Sequence, residues 1–236
     1  MFINSIFSAL SGMRTSATKL QTSANNLANL QTPGFKKSRT EISDVSSGGA
    51  QVSAVTRLST PGSPIPTTNP LGLAVNGEGY FQVSLADGGT GFTRAGSFKI
   101  DNTGQITTSS GNPLSPPVSV PGNATGVSID SSGQVSAIVG GSSVTVGQIE
   151  LAQFNNPGGL TAEGGNLFSA SSGPSVSGTP GSGSRGTVIS GALESSNVDI
   201  AEEIVGQIVS KAAFKANASV IRAADELIGS LLDIKS

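Results

Sequence analysis

The chain has 236 residues, enough for one or two domains with cores of their own. Only 12% of residues are charged and 4% aromatic, with a net charge of −2; this excludes a basic field for a nucleic-acid backbone and a stacking platform for bases. With no Cys and no His, disulfides, thiolate chemistry and the commonest general base and metal ligand are gone, so neither a metal nor a cofactor is expected.

The opening segment MFINSIFSALSGM has no basic n-region, and Asn4, Ser5, Ser8 and Ser11 break any apolar stretch. It reads as part of the mature structure rather than as a signal peptide. No apolar run approaches the ~20 residues of a membrane span, so direct membrane insertion is not expected. Ile3, Ile6, Leu10, Met13, Ala17, Leu20, Ala24 and Leu27 alternate at steps of three and four, a heptad seam over a helix roughly 38 Å long. The helix is expected to end near Leu30, because Thr32 precedes Pro33 and Gly34 frees the exit turn. Between Asn4 and Leu30 the only charges are Arg14 and Lys19. A solvated helix face normally carries many charges, so close neighbours on several sides are expected.

Residues 32–70 read as an extended connector, with Ser-Ser-Gly-Gly and two proline clusters, and only Gln51–Leu58 looks like a strand. From residue 71 to 170 short β-rich runs alternate with turn signals such as Asp101-Asn102-Thr103-Gly104 and Asp130-Ser131-Ser132-Gly133. This spacing predicts an antiparallel β domain, barrel or sandwich. Residues 171–198 read as a second, Gly/Ser/Pro-rich connector.

Asp199 with Glu202 three residues on predicts a capped helix start, and the helix is expected over about Ile200–Asp233. Apolar residues recur at Ile204, Ile208, Ala212, Phe214, Ile221, Ala224, Ile228 and Leu231, loosely at first and closer to a heptad later. Acids open the helix and Lys235 lies at its far end, which suits the helix dipole. The expected fold is α+β: a discontinuous coiled-coil domain of paired ends, residues 1–31 and 199–236, with an inserted antiparallel β domain, barrel- or sandwich-like. Burying six large seam residues of the N-terminal helix gains roughly 9–18 kcal/mol, against roughly 25–50 kcal/mol of backbone entropy for ordering about 25 residues, so the ends are expected to order on assembly.

Motifs for chemistry fail in context. Gly181-Ser182-Gly183-Ser184-Arg185-Gly186 matches a dinucleotide fingerprint but lies in a Pro/Ser loop, not between strand and helix. Glu202-Glu203 and Asp225-Glu226 sit on the terminal helix and read as ion-pair partners. No catalytic, metal or cofactor site is expected.

Several stretches resemble one known family. Ser8-Ala9-Leu10-Ser11-Gly12-Met13, Asn25-Asn26-Leu27-Ala28-Asn29 and Thr32-Pro33-Gly34-Phe35-Lys36 resemble the N-terminal signature of bacterial flagellar rod and hook proteins. Ala74 to Val83, Phe92 to Phe98 and Asn102-Thr103-Gly104-Gln105 resemble its β segments. Leu193-Glu194-Ser195-Ser196-Asn197-Val198-Asp199 resembles the motif that opens its C-terminal helix, with Phe214-Lys215-Ala216-Asn217 and Ala224-Asp225-Glu226-Leu227 further along. Where the family often has Gln-Arg-x-Tyr, this chain has Lys211-Ala212-Ala213-Phe214.

The resemblance implies a self-assembling axial subunit of the flagellum, not an enzyme. It implies a homo-oligomeric helical assembly in the basal-body rod, neighbouring rod and hook proteins as partners, torque transmission, and passage through the flagellar type III export apparatus. The chain is short for a hook subunit, so rod is favoured over hook; a secreted oligomeric binding or capping module is the alternative of a different class. Residues expected at subunit interfaces are the seam positions Leu10, Met13, Leu20 and Leu27, and the uncharged hydrogen-bonders Asn25, Asn26 and Asn29. Pro33, Gly34 and Phe35 at the exit turn join them, with Asn197, Val198 and Asp199 at the re-entry. Phe214, Asn217, Ile221, Ile228 and Leu231 complete the set.

Overall fold

A computed structural model describes residues 2–170 and 176–233; Lys235 and residues 171–175 of the expected second connector lie outside the described residues. The chain is α+β and divides into two units. One takes the chain up to Leu30, Lys37–Leu58 and the chain from Val198; the other takes Gln31–Lys36 and Ser59–Asn197.

The first unit is built on helices α1 (Phe2–Ala28) and α2 (Ile200–Asp233). α1 ends where expected: the Asn29 amide is shared between the carbonyls of Asn25 (3.2 Å) and Asn26 (3.1 Å), and the chain turns. Asp199 caps α2, its Oδ1 accepting from the Glu202 amide at 3.0 Å. The Glu202 carboxylate is held by Lys37 Nζ at 2.7 Å.

Between the helices in sequence lies a hairpin, β1 (Ser38–Asp44) and β2 (Ala50–Arg57), antiparallel with a bulge at Glu41/Ile42. β2 lies where Gln51–Leu58 read as a strand, while β1 and the pairing correct the expectation that residues 32–70 are otherwise an extended connector. Ser46-Ser47-Gly48-Gly49 is the hairpin turn, with φ of 94° at Gly48 and 100° at Gly49, where glycine is favoured. A Cβ on Gly49 would meet Ser11 Oγ at 2.3 Å, so the turn lies hard against α1, and Ser11 Oγ accepts from the Ala50 amide at 3.1 Å. β1 escaped the sequence because SRTEISD carries one apolar residue, and a strand without alternation gives no period-two signal.

α1 and α2 pack side by side and antiparallel. Ser23 Oγ donates to Glu203 O at 3.1 Å, while Gly12 faces Asn217 and a Cβ there would meet Asn217 Nδ2 at 2.7 Å. The buried row of α1 contains Ala9, Ser16, Ser23 and Asn26, with half-buried Gly12 on the same row. This is a heptad frame one residue before the expected apolar seam. Small residues there let the two backbones come close. On α2 the inward row is Glu203, Gln207, Ser210, Phe214, Asn217, Ile221 and Ala224. The apolar recurrence expected at Ile204, Ile208 and Ala212 falls on the exposed face, so that half of the α2 reading is corrected.

The second unit is β structure. Its strands are β3 (Pro64–Pro66), β4 (Leu73–Asn76), β5 (Tyr80–Ser84), β6 (Thr90–Thr93), β7 (Phe98–Ile100), β8 (Ile106–Thr108), β9 (Ala124–Ile129) and β10 (Gln134–Val139). They continue with β11 (Ser142–Gln148), β12 (Leu151–Gln153), β13 (Leu160–Gly164), β14 (Leu167–Ala170), β15 (Val176–Gly178), β16 (Thr187–Ser190) and β17 (Ala192–Glu194). Every named pairing is antiparallel. The largest sheet runs β13-β14-β6-β5-β12-β15, and among the described residues no sheet closes into a barrel. Short strands interrupted by Gly and Pro turns split the unit into small sheets instead of one continuous wall. Leu73, Phe81, Val83, Phe98, Ile106 and Leu151 centre one core cluster, and Tyr80, Phe92, Phe154 and Phe168 form a second with edge-to-face rings. The unit extends beyond the expected 71–170. β16 pairs with β4 and β17 with β3, so residues 187–190 and 192–194 are sheet rather than connector; strands this short carry too few residues to show alternation.

The β unit contains one hairpin design twice. Ile100-Asp101-Asn102-Thr103-Gly104-Gln105-Ile106 is echoed by Ile129-Asp130-Ser131-Ser132-Gly133-Gln134-Val135. In both, the aspartate Oδ1 accepts from the backbone amide and hydroxyl two residues on and from the amide four residues on. In both, the glycine has positive φ (85° and 79°) and its carbonyl accepts from a returning chain, Val120 N and Ile149 N, each at 2.8 Å. Ile100 pairs with Ile106 in one copy as Ile129 pairs with Val135 in the other.

Candidate assembly surface and buried junction

In the helical unit, Asn26 is 1% exposed and its amide is fully used. Nδ2 donates to Ser38 O (2.8 Å) and Glu203 Oε1 (2.8 Å), and Oδ1 accepts from Ser38 N (2.9 Å). One side chain thus ties α1 to the start of β1 and to the first turn of α2. These groups line a polar groove with Lys19, Thr22, Lys37 and Arg39. Asn25 is exposed, and Asn29 turns its Nδ2 back to Asn25 O at 2.9 Å. Of the three asparagines expected to bond between subunits, Asn26 is already spent inside the chain.

Leu10, Met13, Leu20 and Leu27 are half-buried on α1, as are Phe214, Asn217 and Ile221 on α2. Asn217 Nδ2 donates to Ala213 O at 2.9 Å. Ile228 is exposed, and the side chain of Leu231 is outside the described ones. Val198 is buried and Asp199 is the helix cap. What the sequence reading missed is the outward face of α2: Ile200, Ile204, Val205, Ile208 and Val209 are all exposed, Ile208 at 63%, and Phe7 of α1 stands 62% exposed. Over its first three turns the helix puts Glu203, Gln207 and Ser210 inward and its branched aliphatic residues outward. That inverts the pattern of a helix packed only on its own domain.

In the β unit, the exit turn and the re-entry meet over a buried charge cluster. Pro33 O accepts from Asn166 Nδ2 at 3.0 Å. Gly34 has φ 71°, and a Cβ there would lie 2.5 Å from the backbone of Arg94 and Ala95. Phe35 is half-buried. Lys36, 1% exposed, pairs with Glu194 Oε1 and donates to Thr60 O at 3.0 Å. Arg94 Nη1 reaches Glu194 Oε2 at 3.2 Å, Arg94 Nη2 donates to Gly77 O at 2.9 Å, and the guanidinium lies 5.1 Å from the Tyr80 ring centre. Burial pushes the Lys36 ammonium below its usual 10.5, against the opposing pull of Glu194. Asn197 Nδ2 donates to Thr60 O and Thr60 Oγ1, both at 3.0 Å. The sequence signal for this cluster was slight: three charged residues beside apolar runs in a chain with few charges.

Among the described residues, no group of three acidic, His or Cys side chains could hold a metal, and no helix is long and apolar enough to cross a membrane. The chain matches three family profiles in chain order. Residues 6–36 match "Flagella basal body rod protein", 74–137 match "Flagellar hook protein FlgE/F/G D1 domain", and 189–234 match "Flagellar basal body rod FlgEFG protein C-terminal". It is 35% identical to the flagellar basal-body rod protein FlgG of Caulobacter vibrioides, over 97% of this chain and 98% of that one. The chain belongs to the flagellar basal-body rod protein family. Identity to FlgG of Bacillus subtilis is again 35%, over 99% of both chains. The Escherichia coli hook protein FlgE is 44% identical, but over 38% of this chain and 23% of that protein. This member of the rod family is therefore a structural subunit of the flagellar basal body, with other rod and hook proteins as its assembly partners, and not an enzyme. The matched N-terminal segment ends at Lys36, the buried lysine of the junction, and the C-terminal match spans Glu194.

Proposed function

We propose that this subunit assembles with further copies of itself into a helical section of the rod. In that assembly α1 and α2 pack in coiled-coil fashion against the helices of neighbours and carry torque along the axis. The observation that carries this reading is the inverted amphipathicity of α2. Ile204, Val205, Ile208 and Val209 would keep about half of their surface in water in a lone chain, each forgoing about half of the ~1.5–3 kcal/mol of full burial. A heterologous contact that does not close on itself generates a helical filament. Subunit-interface roles for Leu10, Met13, Leu20, Asn25, Leu27, Ile221 and Ile228 belong to the same proposal, as does delivery by the flagellar export apparatus. Similarity over the full length to FlgG, against a partial match to the hook protein, supports a rod position over a hook position. The test is to tag this chain and map the tag on purified basal bodies. Label on the rod segment of the axis is expected; label confined to the hook, or absent from the axis, would overturn the assignment.

A further inference from the structure

The chain passes between its two units at Leu30/Gln31, Lys36/Lys37, Leu58/Ser59 and Asn197/Val198. On the β side, segments next to these passages are bonded to one another. Phe35 O accepts from Asn197 N (3.4 Å), Glu194 O accepts from Gly34 N (2.8 Å), and Ser63 O accepts from Ser195 N (2.9 Å). Thr60 O accepts from both Lys36 Nζ and Asn197 Nδ2, each at 3.0 Å. Beneath them one carboxylate gathers three segments: Glu194 takes Lys36, Arg94 and, at 2.9 Å, the Gly62 amide. We propose that Lys36, Arg94 and Glu194 form a root that binds these passages into one joint on the β unit, so that strain applied to any one passage is shared by all.

Chemistry favours a joint over a mere core plug. A buried carboxylate with two cations and a backbone amide is satisfied only while all the segments stay in place, and losing one partner leaves charge uncompensated out of water. An apolar plug would hold the same segments without that interdependence. Arg94 anchors the cluster to the sheet through Gly77 O, so the joint is fixed to β structure rather than to a loop alone. Its mechanical use rests on the rod reading, but its existence does not.

Hydrogen exchange read by mass spectrometry on the monomeric full-length chain decides this independently of assembly. Lys36→Met removes one cation at similar volume. Exchange is expected to speed at least tenfold at Gly62 and Ser195 as well as at Gly34, with the β5 amides unchanged. Asn197→Ala, a milder change on a half-buried residue, is expected to speed exchange at Gly34 and Gly62 together, and keeps the test open if Lys36→Met does not fold. Faster exchange confined to each substituted segment would overturn the joint. So would a loss of protection spread evenly through β4 to β8. Labelling of basal bodies decides the rod reading separately.

Discussion

Asn26→Ala is the most informative single change in the helical unit. It removes a donor to the buried Glu203 carboxylate, a donor to Ser38 O and an acceptor for Ser38 N, bonds of 2.8, 2.8 and 2.9 Å. Each stranded buried group costs about 1–3 kcal/mol. The neighbouring groove admits water to part of the site, so the expected loss is about 3–5 kcal/mol, in the lower half of the about 3–9 kcal/mol for three sealed groups. Asn25→Ala, at an exposed position on the same turn, is expected within about 0.5 kcal/mol of wild type. Asn29→Ala, which loses one bond to Asn25 O, should cost about 0.5–1.5 kcal/mol. Urea unfolding of the monomer followed by far-ultraviolet circular dichroism measures all three. Equal stability of the Asn26 and Asn25 variants would refute the tie between α1, β1 and α2.

Other outcomes follow from the β unit and from the helix ends. Gly104→Ala and Gly133→Ala put a Cβ 2.6 Å from Val120 O and 2.7 Å from Ile149 O at positive φ, so each should lower the thermal midpoint clearly. Gly88→Ala, also at positive φ but in open space, should cost only the about 1–2 kcal/mol of the left-handed backbone. Equal losses at all three would remove the case for two matched returning strands. Asp101 and Asp130 are held below the usual 3.8, first by the hydroxyls of Thr103 and Ser132 and then by turn amides. Folded values below unfolded ones mean that their stabilisation is complete above pH 3.8 and is lost as pH falls through the folded values. Asp101→Asn with Asp130→Asn should therefore flatten the acid limb of the stability curve, and an unchanged acid limb would contradict this. Hydrogen exchange in the monomer should be slowest in α1 near Ser23 and Asn26 and fast in α2 beyond Val220, where exposed side chains dominate. Even protection along both helices would count against ordering of the far ends on assembly.

Much of the helical unit was legible because helix signals are local. The 3.6-residue period, the Asp199 cap and the Thr32-Pro33-Gly34 stop each act within a few residues, and both helices lie where these signals put them. Which face turns inward was not legible. Counting apolar residues assumes that a chain buries its own apolar stripe, whereas Ala9, Ser16 and Ser23 take the buried row and Ile208 and Val209 stay exposed. β2 was legible as a strand over Gln51–Leu58, but β1 and its pairing with β2 were missed: SRTEISD carries one apolar residue, and the turn at Gly49 is seated against α1. The Lys36–Glu194 pair joins residues far apart in sequence, and no local pattern could pair them. The two Asp turns were each visible as turns, but that they build one hairpin twice emerged only from Val120 and Ile149 returning to equivalent glycines.

Whether the outward face of α2 packs against neighbouring subunits is decided by incorporation of an Ile208→Asp chain into basal bodies. Because Ile208 is exposed in the lone chain, the substitution should leave the monomer's helicity and unfolding midpoint unchanged. The expected outcome is a folded monomer that no longer enters the rod and cells that do not swim, since a charge would be carried into a packed apolar contact. Wild-type rods containing the Ile208→Asp subunit would contradict it.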